Sequence, residues 1–255
     1  MPLLLYTWDS GPMTGVENMA WDEALLEWVR SSSQATQPPI WIVRTYQWQP
    51  ATWSVGVHQT DASVAKAISI CPLAPVVKRP TGGRAINHDG DQSFAIITND
   101  ARLWRLSLAQ RYGLLNEWIL QALRSCSFHP VVSAERDEGA YARSDQCFES
   151  HTPWDVTDEY GQKRLGCAQL VRKGGLLQHG ALFWPSTISV QSSQWLAALT
   201  LAVAQGLQPW GSAQPRPLPV QEVNLLKQYT VAYQAGLEES QRLQQAVGQS
   251  NCYVL

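Results

Sequence analysis

The chain has 255 residues, of which 45% are hydrophobic and 16% charged, which predicts a globular protein with a large buried core. Its formal net charge of -2 argues against general binding to nucleic acid or to a membrane surface, so any basic site must be local. No run of about 18 apolar residues occurs, and residues 1–10 lack the basic segment of a signal peptide. We therefore expect a cytoplasmic protein.

The first half of the chain predicts one helix followed by several strands. Helical spacing of apolar residues predicts an amphipathic helix over residues 15–33. Residues 40–48 and 51–59 are rich in β-branched and aromatic residues and predict two strands. Residues 74–98 predict a strand, a glycine loop and a second strand.

The middle of the chain predicts a helix, a loop and a group of short strands. Apolar spacing over residues 107–126 predicts the second helix, and residues 128–134 predict a short strand. The charged residues 135–146 predict an exposed loop. Residues 152–184 predict short strands that are separated by glycine-containing turns.

The last part of the chain predicts two helices, at residues 192–207 and 220–247, joined by a proline-rich linker at 209–219. Strands and helices do not alternate, so a doubly wound sheet is not expected. The fold class is α/β (α+β): a central mixed β-sheet flanked by helices. We expect a single domain over residues 1–255, with a core at about 36–210 and the C-terminal helices within 190–247.

The glycine loop "KRPTGGRAINHD" is the first candidate site. Without Cβ atoms, Gly82 and Gly83 allow a ligand to approach the backbone closely, and Lys78, Arg79 and Arg84 surround them with positive charge. This pattern suits a phosphate or a carboxyl-derived group. It is neither a Walker loop nor a dinucleotide-binding fingerprint. The alternative is a hairpin loop whose basic side chains are solvated.

Lys163 and His179 belong to the second candidate region. Lys163 stands between a turn glycine and an apolar strand, which predicts a held stem and an ammonium that can polarise an acyl carbonyl. A lysine at a hairpin edge is the alternative. His179 precedes Gly180 as in a ligand-lining pair, although a lone strand histidine is more often structural.

Cys147 is the candidate nucleophile among the cysteines. It follows a polar loop and precedes Phe148, which predicts partial exposure, and a nearby cation would favour its thiolate. Cys167, between Gly166 and Ala168, is expected to be a packed small residue. The five cysteines are scattered and form no C-x-x-C pair, so neither disulfides nor a metal site is expected. They are Cys71, Cys126, Cys147, Cys167 and Cys252.

Four stretches of the chain together resemble the lipoate/biotin protein ligase superfamily, and within it the branch that transfers lipoyl groups. They occur in the family's order: "NMAWDEALL" (18–26), "TWSVGVHQ" (52–59), "RPTGGRAINHD" (79–89) and "GQKRLGCAQLVRKGGLLQHGALF" (161–183). The resemblance implies the family's catalytic-domain fold. It also implies that Lys163 faces the acyl carbonyl and that a set of further residues contacts the acyl group. The implied substrate-binding set is Arg79, Thr81, Gly82, Gly83, Arg84, His88, Gly166, Ala168, Gln169, His179 and Gly180.

Within the family, the chain is most similar to octanoyltransferases of the LipM type. That type has a nucleophilic cysteine shortly before the lysine stretch, where Cys147 stands, whereas the LipB type has its cysteine after the His-Gly pair. Arg84 stands where ligases usually have a third glycine and fits the transferase branch. Cys167 stands where the family usually has serine.

The resemblance also implies partners and cofactors. The acyl donor would be acyl carrier protein, and the acceptor a lysine of a lipoyl domain of 2-oxoacid dehydrogenases or of glycine cleavage H protein. No cofactor is expected; ATP and Mg²⁺ would be needed only by a ligase. An ATP-dependent lipoate ligase, an amidotransferase for lipoyl groups and a non-catalytic acyl-binding protein remain alternatives. We expect a monomer whose carrier-binding basic face comprises Lys78, Arg79, Lys163, Arg164, Arg172 and Lys173.

Overall fold

The computed structural model describes residues 2–32, 37–69, 71, 73–133 and 138–219, together with residues 238 and 242. Eleven strands are defined in this part of the chain. They are β1 (Leu3–Met13), β2 (Ile40–Trp48), β3 (Thr52–Val55), β4 (Val76–Lys78), β5 (Ile86–His88), β6 (Gln92–Thr98), β7 (Val131–Val132), β8 (Val156–Thr157), β9 (Lys163–Arg172), β10 (Gly175–Leu182) and β11 (Ala213–Pro217).

Six α-helices and one 3₁₀ turn are defined in the same ranges. The helices are α1 (Gly15–Ser31), α2 (Asp61–Ile68), α3 (Ala101–Trp104), α4 (Leu108–Ser125), α5 (Glu138–Arg143) and α6 (Ser192–Leu207), and the 3₁₀ turn is Cys147–Glu149. Capping boxes begin α1, at Thr14 and Glu17, and α4, at Ser107 and Gln110, where side chains satisfy the first free backbone N–H groups.

The strands form one large mixed sheet and one small sheet. The large sheet has the order β11-β1-β2-β6-β10-β9-β8-β7, and the small sheet has the order β4-β3-β5. Strand β1 is parallel to both β2 and β11, whereas β6, β10 and β9 are antiparallel to their neighbours. The predicted fold class, a mixed sheet flanked by helices, is confirmed.

Both faces of the large sheet are buried, because helices cover each of them. Trp41 and Phe94 point into the cluster that packs against α4 and α6, whereas Ile42 and Ala95, their neighbours in sequence, point into the cluster formed with α1. This is why the central strands are continuously apolar rather than alternating.

Three sequence-based expectations are wrong in detail. Residues 209–219 contain β11, which pairs with β1 in the register Leu3 to Ala213 and extends the sheet, so this segment is not only a linker. Residues 135–146, expected to be a loop, contain α5. Strand β1 and helix α2 had no predicted counterpart. The helix expected at 220–247 lies almost entirely outside the described residues.

Two helix glycines allow a matched test of the packing between α4 and α6. A Cβ at Gly206 would lie 2.1 Å from the Trp118 ring, whereas a Cβ at Gly113 would meet Trp154 at an ordinary 3.7 Å. Alanine is roughly 1 kcal/mol better than glycine in a helix, but overpacking a core costs about 1–3 kcal/mol. We expect Gly206→Ala to lower the free energy of unfolding by about 1 kcal/mol or more. Gly113→Ala should leave that free energy unchanged or raise it. Urea denaturation measures both, and equal stabilisation by the two changes would contradict this account of the helix contact.

Candidate active site

Backbone hydrogen bonds join the 3₁₀ turn that carries Cys147 to the glycine loop. The Cys147 N–H donates to Ala85 O at 2.8 Å, and the Ala85 N–H donates to Asp145 O at 3.1 Å. The Gln146 side chain donates to Ala67 O in α2 at 2.8 Å. These contacts hold a half-buried cysteine beside residues 79–89, although the two segments are far apart in sequence.

Lys163 brings its ammonium group to the sulfur of Cys147. It is the first residue of β9 and only 5% exposed. Its Nζ donates to Asp155 Oδ2 at 2.7 Å and to Cys147 O at 2.8 Å, and it lies 3.4 Å from Cys147 Sγ. A fourth acceptor, Ser150 O, lies 3.3 Å away. The lysine stem is therefore fixed, and its charge faces the candidate nucleophile.

The pKa of Lys163 reflects two opposing effects. Burial lowers it, but the charge of Cys147 and the carboxylate of Asp155 favour the ammonium, and the net pKa lies above the usual 10.5. Lys163 is therefore protonated at neutral pH and can serve as a hydrogen-bond donor and a positive charge.

Asp155 is held by its own turn and was missed by the sequence reasoning. Its Oδ2 accepts from the backbone N–H and the hydroxyl of Thr152, at 2.7 and 2.9 Å. Trp154 has a φ of 79°, and its carbonyl accepts from Asn116 in α4 at 3.0 Å. A bulky residue at such a φ costs of order 1–3 kcal/mol, so the surrounding contacts must impose this conformation. The local signal was the spacing T-x-x-D directly before a strand, in which the Asp side chain accepts from the backbone N–H three residues earlier.

Gly166 leaves room for the cysteine and the lysine. A Cβ at this position would lie 3.3 Å from Cys147 Sγ and 3.3 Å from Lys163 Cε. Any larger residue would push these two side chains away from each other or from the strand. The glycine of the "LGCAQ" stretch is thus explained by the side chains opposite it.

The glycine loop is built around Arg79, which is only 4% exposed. Its guanidinium donates to Gly82 O at 2.8 Å, to Arg84 O at 2.7 Å and to Ser54 O at 3.0 Å. Burial lowers the pKa of Arg79 to about 10, so the group stays charged. The alternative of a loop with solvated basic side chains is therefore wrong for Arg79.

Gly83 is required by the backbone of this loop. Its φ is +95°, and a Cβ there would lie 2.7 Å from Arg79 Nη2. A Cβ at Gly82, by contrast, would meet only His58, at 3.6 Å. Substitution of Gly83 therefore strains the loop whether or not a ligand is present, and cannot by itself test close approach by an acyl group.

The expected basic face is wrong in composition. Arg79 and Lys163 are buried and point inward. Arg164 pairs with Asp158 at 2.8 Å, and Arg172 lies 3.6 Å from Glu23. The positive charge of this region is thus largely committed to internal contacts.

Two buried Asp–His–hydroxyl chains support the walls of the site. In the first, His179 Nδ1 lies 2.8 Å from Asp22 Oδ2, and His179 Nε2 lies 2.7 Å from Thr81 Oγ1. Asp22 also accepts from Arg44 Nη1 at 2.7 Å, so one buried carboxyl group joins Arg44 to His179. This chain ties α1 to β10 and to the glycine loop.

In the second chain, His88 Nδ1 lies 3.1 Å from Asp91 Oδ2, and His88 Nε2 lies 2.8 Å from Ser54 Oγ. The imidazole stacks on Trp48 with ring centroids 3.8 Å apart. Burial lowers the pKa of His88, and Asp91 offsets this only in part. His88 is therefore neutral near pH 7, and its stacked ring forms a fixed part of the wall of the site.

An apolar cavity of about 50 Å³, counted as the space open to a water molecule, lies between these groups. The sequence-predicted residues that line it are Arg79, Gly83, His88, Cys147, Gly166, Ala168, His179 and Gly180. Lining residues that the sequence reasoning missed include Met19, Tyr46, Trp48 and Ser54. They come from α1, β2 and β3. Met19 and Ser54 lie in the family stretches 18–26 and 52–59 but were not assigned to the site, and Tyr46 and Trp48 lie in no such stretch.

The other predicted site residues lie around the cavity rather than on its wall. Thr81 binds His179, Gly82 accepts from Arg79, and Arg84 is half-buried in the loop. Gln169 donates to Gln178 at 2.6 Å and accepts from Arg111 of α4 at 3.3 Å. Lys163 reaches the cavity only through Cys147.

Cys167 lines the cavity but is a poor nucleophile. Burial raises the pKa of its thiol well above the ordinary range, and the nearby Asp155 acts in the same direction. Its sulfur would lie 2.9 Å from a Cβ at Gly180, which explains the glycine of the His-Gly pair.

Within the described ranges, no group of His, Cys, Asp or Glu side chains is placed to hold a metal ion. None of the helices defined above is long and apolar enough to cross a bilayer.

Comparisons with known proteins agree with this fold. The family described as "Lipoyl protein ligase A/B catalytic domain" matches residues 14–215. Octanoyltransferase LipM of Bacillus subtilis is 33% identical over 189 residues, which cover 69% of this chain and 65% of that protein. The chain thus spans slightly less than two thirds of the length of this curated relative.

Solved structures place the fold in the same class. Protein Ta0514 of T. acidophilum, solved with bound lipoic acid, has a TM-score of 0.62 at 19% identity and covers 89% of this chain and 94% of its own. A bipartite lipoate protein ligase from Thermoplasma acidophilum, described together with its E2 lipoyl domain, has a TM-score of 0.59 at 18% identity, with coverages of 89% and 91%. The fold is that of lipoate protein ligase catalytic domains. The chain belongs to the lipoyl protein ligase A/B catalytic domain family.

Removing the Asp155 charge tests its role as the positioning residue of Lys163. Asp155→Asn leaves a buried ammonium without its carboxylate, and breaking such a pair costs roughly 3–5 kcal/mol. The carboxylate raises the pKa of Lys163 in the folded protein. The ion pair therefore stabilises the folded state fully at pH values below the usual lysine pKa of 10.5, and this stabilisation is lost as the pH rises through the higher pKa of the folded state. The difference in unfolding free energy from wild type should therefore be large at pH 7 and shrink at alkaline pH. Asp155→Glu should restore part of it, and a pH-independent difference would contradict the ion-pair explanation.

Proposed function

We propose that this chain is an acyltransferase of protein lipoylation. It moves an octanoyl group, or a lipoyl group, from acyl carrier protein to Cys147 and then to a lysine of a lipoyl domain or of glycine cleavage H protein. The observation that carries the proposal is the approach of Lys163 Nζ to Cys147 Sγ, 3.4 Å, at the wall of an apolar cavity. The likeness to the B. subtilis octanoyltransferase and to a protein solved with lipoic acid supports this assignment.

The cavity suits an aliphatic acyl chain. Its walls combine Met19, Tyr46, Trp48 and Ile86 with the backbone of β9 and β10. An octanoyl chain buried there would gain roughly 5 kcal/mol, at about 0.8 kcal/mol per methylene. The protein would therefore distinguish medium chains from short ones by buried length.

The first half-reaction transfers the acyl group to Cys147. The sulfur attacks the carbonyl carbon of the donor thioester, a new C–S bond forms, and the donor thiol leaves with the proton. Lys163 favours the attacking thiolate and donates to the carbonyl oxygen as negative charge develops on it. Because one thioester replaces another, no ATP is required. The acceptor amine then forms an amide, which is downhill.

The reaction also requires a reduced cysteine. The four described cysteines, Cys71, Cys126, Cys147 and Cys167, are free thiols. This supports a reducing compartment, and we propose the cytoplasm as the place of action.

Octanoyl transfer to the enzyme should occur at Cys147 alone. After exposure to octanoyl acyl carrier protein without ATP, intact mass should increase by one octanoyl group, hydroxylamine should remove it, and peptide mapping should locate it on Cys147. Cys147→Ser should abolish turnover or trap a slowly reacting ester. The matched control Cys167→Ser should stay active, because the raised pKa of Cys167 keeps its thiol protonated. A requirement for ATP with no acyl-enzyme would instead identify a ligase.

Lys163→Ala should reduce the rate of octanoyl transfer by roughly a hundredfold or more, the scale of losing one oxyanion donor. The exposed Lys173, on the turn between β9 and β10, provides the control, and Lys173→Ala should transfer at the wild-type rate. Single-turnover acylation of Cys147 measures both variants. A Lys163→Ala protein that is folded and fully active would exclude this role.

A further inference from the structure

The cluster formed by Cys147, Lys163 and Asp155 borders three cavities, each of which is lined by one of its members. The acyl cavity lies on the side of Cys147, and a separate groove lies on the side of Asp155. The contacts of Nζ with the sulfur, 3.4 Å, and with Asp155, 2.7 Å, place the carboxylate within about 6 Å of the sulfur. Cys167 belongs to the walls of both the acyl cavity and the groove. A reactant in the groove would thus end beside a thioester on Cys147.

The groove is open, and its wall is mostly apolar, with Thr152 as a further polar residue. Its volume is about 320 Å³, counted in the same way as that of the acyl cavity. Leu108, Ala109 and Tyr112 of α4 form one side, and Pro153 and Trp154 form the other. Leu108 is 57% exposed and Trp154 38% exposed, while Asp155 at the floor is only 5% exposed. An entrance with apolar sides that ends at a buried carboxylate matches a ligand with an aliphatic stem and a cationic end.

The hydrogen bonds of Asp155 leave one oxygen for such a ligand. Oδ2 accepts from Lys163 and twice from Thr152. Oδ1 accepts no hydrogen bond from the described residues, and it is not sealed off from solvent. The Trp154 backbone, at a φ of 79°, keeps the aromatic side chain at the lip of the groove beside Gly113.

We propose that this groove admits the side chain of the acceptor lysine. The inference rests on the proposed transferase function and adds the route of the second substrate. Leu108, Tyr112 and Trp154 contact the methylene stem, and Asp155 Oδ1 accepts from the terminal nitrogen. A pantetheine arm has amide and hydroxyl donors but no cation, so it gains less than an ammonium from a carboxylate at the floor.

The same environment converts the incoming ammonium to a nucleophile. Lys163 beside it disfavours a second positive charge, so the lysine loses one proton, which leaves to solvent through the open groove. The neutral amine nitrogen attacks the thioester carbon, the C–N bond forms, and the C–S bond breaks. Sulfur leaves as a thiolate beside Lys163 and takes up the second proton, which the nitrogen releases as it becomes an amide.

The test separates the two half-reactions. Ala109→Phe narrows the groove at an exposed position of α4, and Ala197→Phe makes the same change at an exposed position of α6, away from the site. Both variants should acquire an octanoyl group from octanoyl acyl carrier protein at the wild-type rate, measured by intact mass. Transfer from the acyl-enzyme to a lipoyl domain should then fall tenfold or more for Ala109→Phe and remain unchanged for Ala197→Phe.

Two substitutions of opposite charge at Leu108, on the lip of the groove, provide a second measurement that does not depend on the width of the groove. With n-butylamine as the acceptor, Leu108→Glu should raise and Leu108→Lys should lower the transfer rate, each by about two- to fivefold, the size of an exposed charge interaction. Slower acylation with normal transfer would assign the groove to the donor and overturn the proposal. Unchanged transfer in all groove variants would overturn it as well. Failure of the wild type to form an acyl-enzyme would instead remove the proposed function.

Discussion

The burial of one lysine ammonium is the constraint on which the site depends. A charged group removed from water is tolerated only when other groups replace its hydration. Lys163 obtains these groups from two segments: the Asp155 turn, and residues 147–150, which supply two carbonyls and the sulfur of Cys147. Each segment must therefore be held in place by the fold, and the hydrogen bonds from Ala85, Thr152 and Asn116 do this.

The glycines of the site are required for different structural reasons, although the sequence does not distinguish them. Gly83 is needed for a positive φ, Gly166 for the side chains of Cys147 and Lys163, and Gly180 for the sulfur of Cys167. Only Gly82 is flanked by enough space to suggest an open approach. A glycine pattern thus indicates a position where other atoms pack closely against the backbone. Only the structure shows whether those atoms belong to a ligand or to the protein itself.

The sequence predicts best those features that have a local cause. Helices α1, α4 and α6 follow from periodicity, strands β2 and β6 follow from their runs of apolar and β-branched residues, and Cys147 and Lys163 follow from their neighbours and the family resemblance. Strand β11 has no local signal, because its proline-rich sequence becomes a strand only by pairing with β1 at the other end of the domain. Asp155, Asp22 and Ser54 were missed for a related reason. Their roles depend on partners that only the tertiary structure brings close.

One fixed ammonium can serve both steps of an acyl transfer through cysteine. Attack on the donor thioester and attack of an amine on the acyl-enzyme both place negative charge on the same carbonyl oxygen and both require sulfur to carry charge. In the proposed mechanism, Lys163, charged because Cys147 and Asp155 together outweigh its burial, would face that position in each step. The two steps then differ only in the second reactant. With separate entrances on the Cys147 and Asp155 sides, the acyl chain would bind in the apolar cavity and the acceptor amine would bind at the Asp155 carboxylate. Cys147 and Lys163 would then act on both substrates.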